Sequence, residues 1–293
     1  MKNFQIFERT QLLRRVLTAV LACVMLIGGM ALGASAETVV RPSGAVSTRV
    51  YLDGGEVLEG ECFIVDSITY VPLRQFCNLF ADCSFTWNGT TRTATVKTEH
   101  LNMSVQNDAV YIIANGHYFY TVGKVLNLQG HLYVPIRPLA RAFAEELSWN
   151  AKARAVELTT VGTVRAVKAA SYDANDLYWL SRIISAEAKG EPFLGQIAVG
   201  NVVLNRVRSA SYPNTVYGVI FDRKYGTQFS PVAFGTIYKA PTASAVIAAK
   251  ICLEGYSLSD SALFFVNPRL ATNDWIQRTR PFAFRIGNHD FYN

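Results

Sequence analysis

One five-residue phrase occurs twice in this chain, and the repetition constrains the fold of its first half more than any other feature. Tyr70-Val-Pro-Leu-Arg74 returns 63 residues later as Tyr133-Val-Pro-Ile-Arg137. Each copy is followed by apolar residues at helical spacing: Leu73, Phe76, Leu79 and Phe80 in the first, Ile136, Leu139, Ala140 and Phe143 in the second. An aromatic segment comes next, Phe85-Thr-Trp87 or Ser148-Trp149-Asn150, and then a β-prone stretch over 93–97 or 153–158. Matching registers predict one unit used twice: strand, proline-marked turn, short helix, tryptophan, strand. Proline fixes φ and lacks a donor, so it ends a strand or opens a helix. Each tryptophan is expected to close its small layer with a large apolar surface. Alternation over 110–114 and 118–120 fits further strands. No acidic pair or nucleophile set stands out over 38–160, which reads as a structural or binding module.

The paired Tyr-Val-Pro-(Leu/Ile)-Arg motifs make residues 45–160 resemble the copper amine oxidase N-terminal-like domain. That family name implies neither copper nor oxidase activity. The resemblance implies an envelope-attachment or spacer module appended to an exported bacterial enzyme.

The N-terminus reads as an export leader. Arg14 and Arg15 precede a 17-residue apolar run over 16–32, and Ala34-Ser35-Ala36 offers a small-x-small cleavage site before Glu37. The alternative is a retained anchor, since 17 residues is the short limit of a membrane span. Membrane contact is expected only in that case. The leader carries Lys2, Arg9, Arg14 and Arg15 against Glu8, so the formal charge of +6 falls to +3 without it. Scattered charges at +3 give no support to nucleic-acid binding, and no nucleic-acid partner is expected. Export permits disulfides. Cys77 and Cys83 are near enough for a local bridge if the backbone folds back, whereas Cys252, in an apolar run, reads as a packed thiol. No cysteine and histidine pair has metal-ligand spacing, so neither a metal nor a cofactor is expected.

Residues 161–175 break both patterns and read as a linker leading to a helix capped near Asp173 or Asn175. From 176 the pattern turns helical, with helices expected over 176–189, 193–207, 215–221 and 242–253. The predicted class is multidomain: a strand-rich α+β N-terminal module, then a mostly helical, lysozyme-like α+β catalytic domain over 176–293. A Gly-rich loop after a strand and a Gly-x-Ser-x-Gly elbow are both missing, so nucleotide binding and a serine hydrolase have no support.

Glu187 is the candidate catalytic residue. Leu180, Ile183 and Ile184 precede it by seven, four and three residues, which places it on the apolar stripe of its helix. A carboxylate there is desolvated and its pKa rises, as a general acid requires. The structural alternative is a buried carboxylate paired with Arg206 or a tyrosine.

The run from Ile184 to Val207 resembles the cell wall hydrolase family of SleB and CwlJ, as do Val219-Ile-Phe221, Gln228-Phe-Ser-Pro-Val232 and Ile286-Gly-Asn-His-Asp-Phe-Tyr292. The likeness spans about 178–292. It implies a fold similar to lysozyme and lytic transglycosylases, and cleavage of glycan strands between N-acetylmuramic acid and N-acetylglucosamine. The family's catalytic glutamate falls on Glu187. Groove candidates are Glu191, Gln228, Phe229, Ser230, Trp275 and His289. A water-using enzyme would need a second carboxylate, drawn from Glu191, Asp222, Asp274 and Asp290. The expected partner is peptidoglycan, with wall-polymer attachment through the module. The expected location is secreted or envelope-associated, the spore cortex or coat included. The competing readings are a non-catalytic wall-binding protein and an exported amidase or peptidase.

Overall fold

The two copies of the repeated phrase face one another across a strand pair. The computed structural model, which describes residues 39–293 apart from 225 and 227, pairs Ile68–Pro72 antiparallel with His131–Pro135. Val71 stands opposite Val134, its own equivalent 63 residues on. An antiparallel pair in which equivalent residues oppose each other has a local two-fold axis at that pair. The module is therefore a pseudo-two-fold built across its central strands. The predicted export leader lies outside the described residues. Among those residues no helix is long and apolar enough to cross a membrane.

Each central strand closes a hairpin with the strand before it, Phe63–Val65 in one repeat and Leu126–Leu128 in the other. With Val46–Ser47 they complete a five-stranded sheet. Pro72 and Pro135 end their strands and stand at the N-caps of α1 (Leu73–Asn78) and α2 (Ile136–Ala142), as the sequence predicted. Each helix leads into a second hairpin, Ser84–Asn88 with Thr93–Lys97, and Glu146–Asn150 with Ala155–Thr159. There the symmetry ends. The first hairpin continues as a five-stranded meander through Asn102–Gln106, Tyr111–Ala114 and His117–Tyr120. The second pairs in parallel with Arg49–Leu52.

Phenylalanines close the small layer, and the tryptophans do not. Phe76 and Phe143 are fully buried, and Phe80 stacks on Phe143 with ring centroids 5.1 Å apart. Trp87 and Trp149 are 51% and 45% exposed. This corrects the expectation for both residues. Their strands bury only part of Phe85 and Leu147 against the core and leave the tryptophan rings outside it.

Residues 161–173 carry no helix or strand, but they are laid along the module. The Val167 N–H donates to Ala142 O, the Ala170 N–H donates to Asn115 O, and Ala166 is buried. Asp173 then caps α3 (Ala174–Ala188), accepting from the Asp176 N–H at 2.9 Å. There follow α4 (Phe193–Arg208), α5 (Val216–Phe221), α6 (Ser230–Ala233), α7 (Ala243–Leu253) and α8 (Trp275–Thr279). Thr215 and Thr242 cap α5 and α7. A three-stranded sheet of Phe264–Val266, His289–Tyr292 and Phe282–Ile286 closes the domain, with His289–Tyr292 central. Helices α3, α4 and α7 form its core. They meet so closely that a Cβ on Gly200 would lie 2.7 Å from Cys252 Sγ and 2.8 Å from Ile184 Cδ1. Cys252 is a fully packed thiol in this contact, while Cys83 donates to the Cys77 carbonyl and both remain free.

Module and helical domain share an interface. The His117–Tyr120 strand packs on α7, and Tyr120 meets Tyr256 with centroids 4.4 Å apart. Just past α7, Glu254 lies beneath them. His117 Nδ1 lies 2.8 Å from its carboxylate, Tyr172 donates to it, and Arg141 donates to its carbonyl oxygen. Residues 41–293 accordingly form one compact unit.

Candidate active site

Glu187 occupies the last turn of α3. Leu180, Ile183 and Ile184, on the same stripe, are fully buried, and Glu187 is half-buried at its edge. No hydrogen bond or ion pair reaches its carboxylate among the described residues. Burial raises its pKa from 4.5 to about 7. A carboxyl group poised near neutrality, without a partner among the described residues and in reach of solvent, is chemically able to donate a proton and take it back.

The structural alternative for Glu187 required a pairing with Arg206 or a tyrosine. Arg206 is engaged elsewhere: its Nε donates to Leu263 O at 2.8 Å. Its guanidinium covers the rings of Tyr212, Phe229 and Phe264 at 5.0, 5.2 and 5.6 Å.

The other four carboxylates considered for a second catalytic role all have partners. Glu191 accepts from the Asn288 N–H at 2.8 Å and from the Asn288 side-chain amide at 3.1 Å. Partial burial pushes its pKa up, but these bonds and the nearby His289 outweigh burial and hold it below the ordinary value. Asp290 is held by Arg285 through two bonds, one of them 2.7 Å long, which lower its pKa. Asp274 pairs with Arg278 at 2.9 Å, and Asp222 accepts from the Lys224 N–H at 2.9 Å.

The groove candidates separate into two groups. Phe229 is buried, 6.4 Å from Phe265, which in turn lies 5.2 Å from His289. His289 is buried too, and desolvation lowers its pKa. Phe229, Phe265, His289 and Arg206 thus form one packed cluster. Gln228 is half-buried, Ser230 is exposed as the first residue of α6, and Trp275 is exposed beside Phe264 and Arg280. Helix α6 and the 3-10 turn Thr236–Tyr238 both pack against α3. That segment carries aromatic residues the sequence reasoning passed over. Phe234 is 79% exposed, and Tyr238 reaches Trp179 on α3 with centroids 6.1 Å apart. Gly235, at φ 71°, makes the turn between them. The signal was present as two aromatics flanking a glycine, Phe234-Gly-Thr-Ile-Tyr238.

Residues 190–292 match the family model described as Cell Wall Hydrolase, and residues 51–171 match the Copper amine oxidase N-terminal domain. The chain joins a copper amine oxidase N-terminal-like domain to a cell wall hydrolase domain. Similar proteins include a spore cortex-lytic enzyme of Bacillus cereus, 44% identical over 120 residues, covering 41% of this chain and 45% of the relative. Another spore cortex-lytic enzyme, from Halalkalibacterium halodurans, is 41% identical over 124 residues, covering 42% of this chain and 36% of the relative. The chain thus spans less than half the length of these curated relatives. A solved structure described as the catalytic domain of the germination-specific lytic transglycosylase SleB from Bacillus anthracis is 43% identical, covering 42% of this chain and 98% of that one, with a TM-score of 0.39. The stretch matched to the hydrolase family begins three residues after Glu187, so the match does not include that residue.

Proposed function

We propose that this chain is an exported peptidoglycan-degrading enzyme that cleaves between N-acetylmuramic acid and N-acetylglucosamine by lytic transglycosylation. Glu187 serves as acid and then as base. The observation that carries this reading is a half-buried Glu187 that has no hydrogen bond or ion pair among the described residues and whose pKa is raised to about 7. Named relatives that act on spore cortex support the substrate class.

Protonated Glu187 gives its proton to the glycosidic oxygen as the C1–O bond of the muramic residue breaks. The leaving glucosamine takes that proton on its 4-oxygen. The muramic 6-hydroxyl attacks C1 and returns its own proton to Glu187. The products are a 1,6-anhydromuramic end and a free 4-hydroxyl, with no water consumed. The attacker belongs to the substrate, so proximity replaces an activated water. This route suits a site in which Glu191, Asp222, Asp274 and Asp290 are all otherwise engaged. Phe234 and Tyr238 offer ring faces for the sugars, and Gln228 and Ser230 offer hydrogen bonds.

The copper amine oxidase N-terminal-like domain attaches the enzyme to the wall. The enzyme works in the cell wall or spore cortex. Clearing of purified peptidoglycan by residues 37–293 tests the reading. Wild-type protein lowers the turbidity, and folded Glu187→Gln leaves it unchanged. Equal clearing by both removes Glu187 from the mechanism.

A further inference from the structure

The repeat builds one kind of groove into the molecule twice. One groove, of about 310 Å3, lies between Arg74 at the start of α1, Trp87, and the turn at Gly130 and His131. A second, of about 630 Å3, lies between Arg137 at the start of α2, Trp149, and the turn at Ser67 and Ile68. Adding the repeat offset of 62 or 63 residues turns one set of walls into the other. Arg74 becomes Arg137, Trp87 becomes Trp149, and Ser67 becomes Gly130. Each groove takes its helix start and tryptophan from one repeat and its hairpin turn from the other. The local two-fold at Val71 and Val134 generates that exchange. The two grooves are therefore one site in duplicate.

Both copies leave the same costly features in solvent. Trp87 and Trp149 are each about half exposed, although burial would stabilise the fold. Arg74 and Arg137 are exposed, and neither has a carboxylate partner among the described residues. Arg74 lies 4.2 Å above the Phe85 ring, two residues along the strand from Trp87, so guanidinium and indole share one wall. A flat aromatic face beside an unpaired guanidinium suits a sugar ring bearing a carboxylate.

We propose that the two grooves are equivalent binding sites for carboxylate-bearing glycan, and that the occupant is the peptidoglycan strand with its peptide carboxylates. This rests on the attachment reading above and names its sites. The tryptophan covers a sugar face and the arginine takes the carboxylate. Two sites of one chemistry make attachment to a repeating polymer bivalent. The copies are not identical in lining. The first has Gln75, Asn127 and His131 where the second has Pro138, Ile64 and Ile68. The second also borrows Tyr256 from the hydrolase domain, so glycan held there lies against that domain.

The test is co-sedimentation of residues 37–293, all carrying Glu187→Gln to prevent digestion, with sacculi stripped of secondary wall polymers and with intact walls. The parent is expected to bind stripped sacculi. Trp87→Ala and Trp149→Ala each weaken binding about five- to tenfold, and the double variant weakens it further than either. Trp→Phe at both positions restores part of the affinity, and the melting temperature stays unchanged. Arg74→Gln with Arg137→Gln weakens binding and flattens its dependence on salt. Undiminished binding by the double tryptophan variant overturns the two-site proposal while leaving attachment standing. Binding to intact walls alone overturns it in favour of a secondary polymer. A parent that binds neither material overturns the attachment reading itself.

Discussion

The carboxylate of Glu191 is clamped to Asn288, 97 residues away, through both the backbone N–H and the side-chain amide. The clamp leaves no room for a side chain at the turn: a Cβ on Gly287 would lie 2.1 Å from Glu191 Oε2. Glu187 and Glu191 are separated by one helical turn in sequence, but they face different tasks. One has no partner among the described residues and a pKa raised to about 7, and the other is an anion tying the α3–α4 corner to the terminal hairpin.

Glu191→Ala is therefore expected to act on stability before chemistry. Two hydrogen bonds to a charged group are lost, at a cost of about 2–3 kcal/mol. Urea unfolding reads that loss. Turnover at a temperature where the variant stays folded is expected to remain within about tenfold of wild type. By contrast, Glu187→Gln is expected to abolish detectable turnover. A larger catalytic loss from Glu191→Ala than from Glu187→Gln would exchange their roles.

The pH profile carries the second prediction. Glu187 must begin protonated, and its pKa is raised to about 7. Turnover is expected to hold steady from about pH 5 to 6.5, then fall tenfold per pH unit above about 7. A profile that rises through pH 7 would contradict an acid role.

Stability should move in the opposite sense on mutation. The folded pKa of Glu187 lies above its unfolded value, so the folded state binds more protons between about pH 4.5 and 7. The wild-type fold loses stability across that window and levels off above it. Glu187→Gln removes the titration. The variant is expected to become progressively more stable than wild type as pH rises, by on the order of 2–3 kcal/mol above pH 7. Thermal melts of both proteins at pH 4.5 and pH 8 measure this, and a constant difference would refute a desolvated carboxylate.

A fourth prediction concerns the junction of the two domains. Glu254 is buried and receives His117 and Arg141 from the module and Tyr172 from the segment before α3. Glu254→Ala strands these partners, and the expected loss is about 3–5 kcal/mol. The unfolding transition should also split in two as the module uncouples from the helices. A single transition at the wild-type midpoint would show that the cluster holds nothing together.

Much of this architecture was legible in the residues. Of the two caps expected for the first helix of the second domain, Asp173 and Asn175, Asp173 serves, by local chemistry that needs no tertiary partner. The four helices expected over 176–189, 193–207, 215–221 and 242–253 fall within two residues of those limits, while the short helices Ser230–Ala233 and Trp275–Thr279 were not foreseen. The repeat gave the module's elements, because proline acts through its own backbone. Tertiary packing decided the rest. Trp87 and Trp149 were expected inside, yet Phe76, Phe80 and Phe143 occupy that space. Strand alternation shows which residues share a face, but not whether anything covers that face. The partner of Glu191 was invisible for a similar reason, since nothing local ties it to Asn288. Phe234 and Tyr238 escaped notice because a short aromatic turn has no periodicity to mark it.

The most direct test of the account is mass spectrometry of the fragments that residues 37–293 release from vegetative peptidoglycan and from spore cortex. The account predicts 1,6-anhydromuramic ends from the wild-type protein and no fragments from Glu187→Gln. Reducing muramic ends, or anhydro ends that persist in Glu187→Gln, would contradict it.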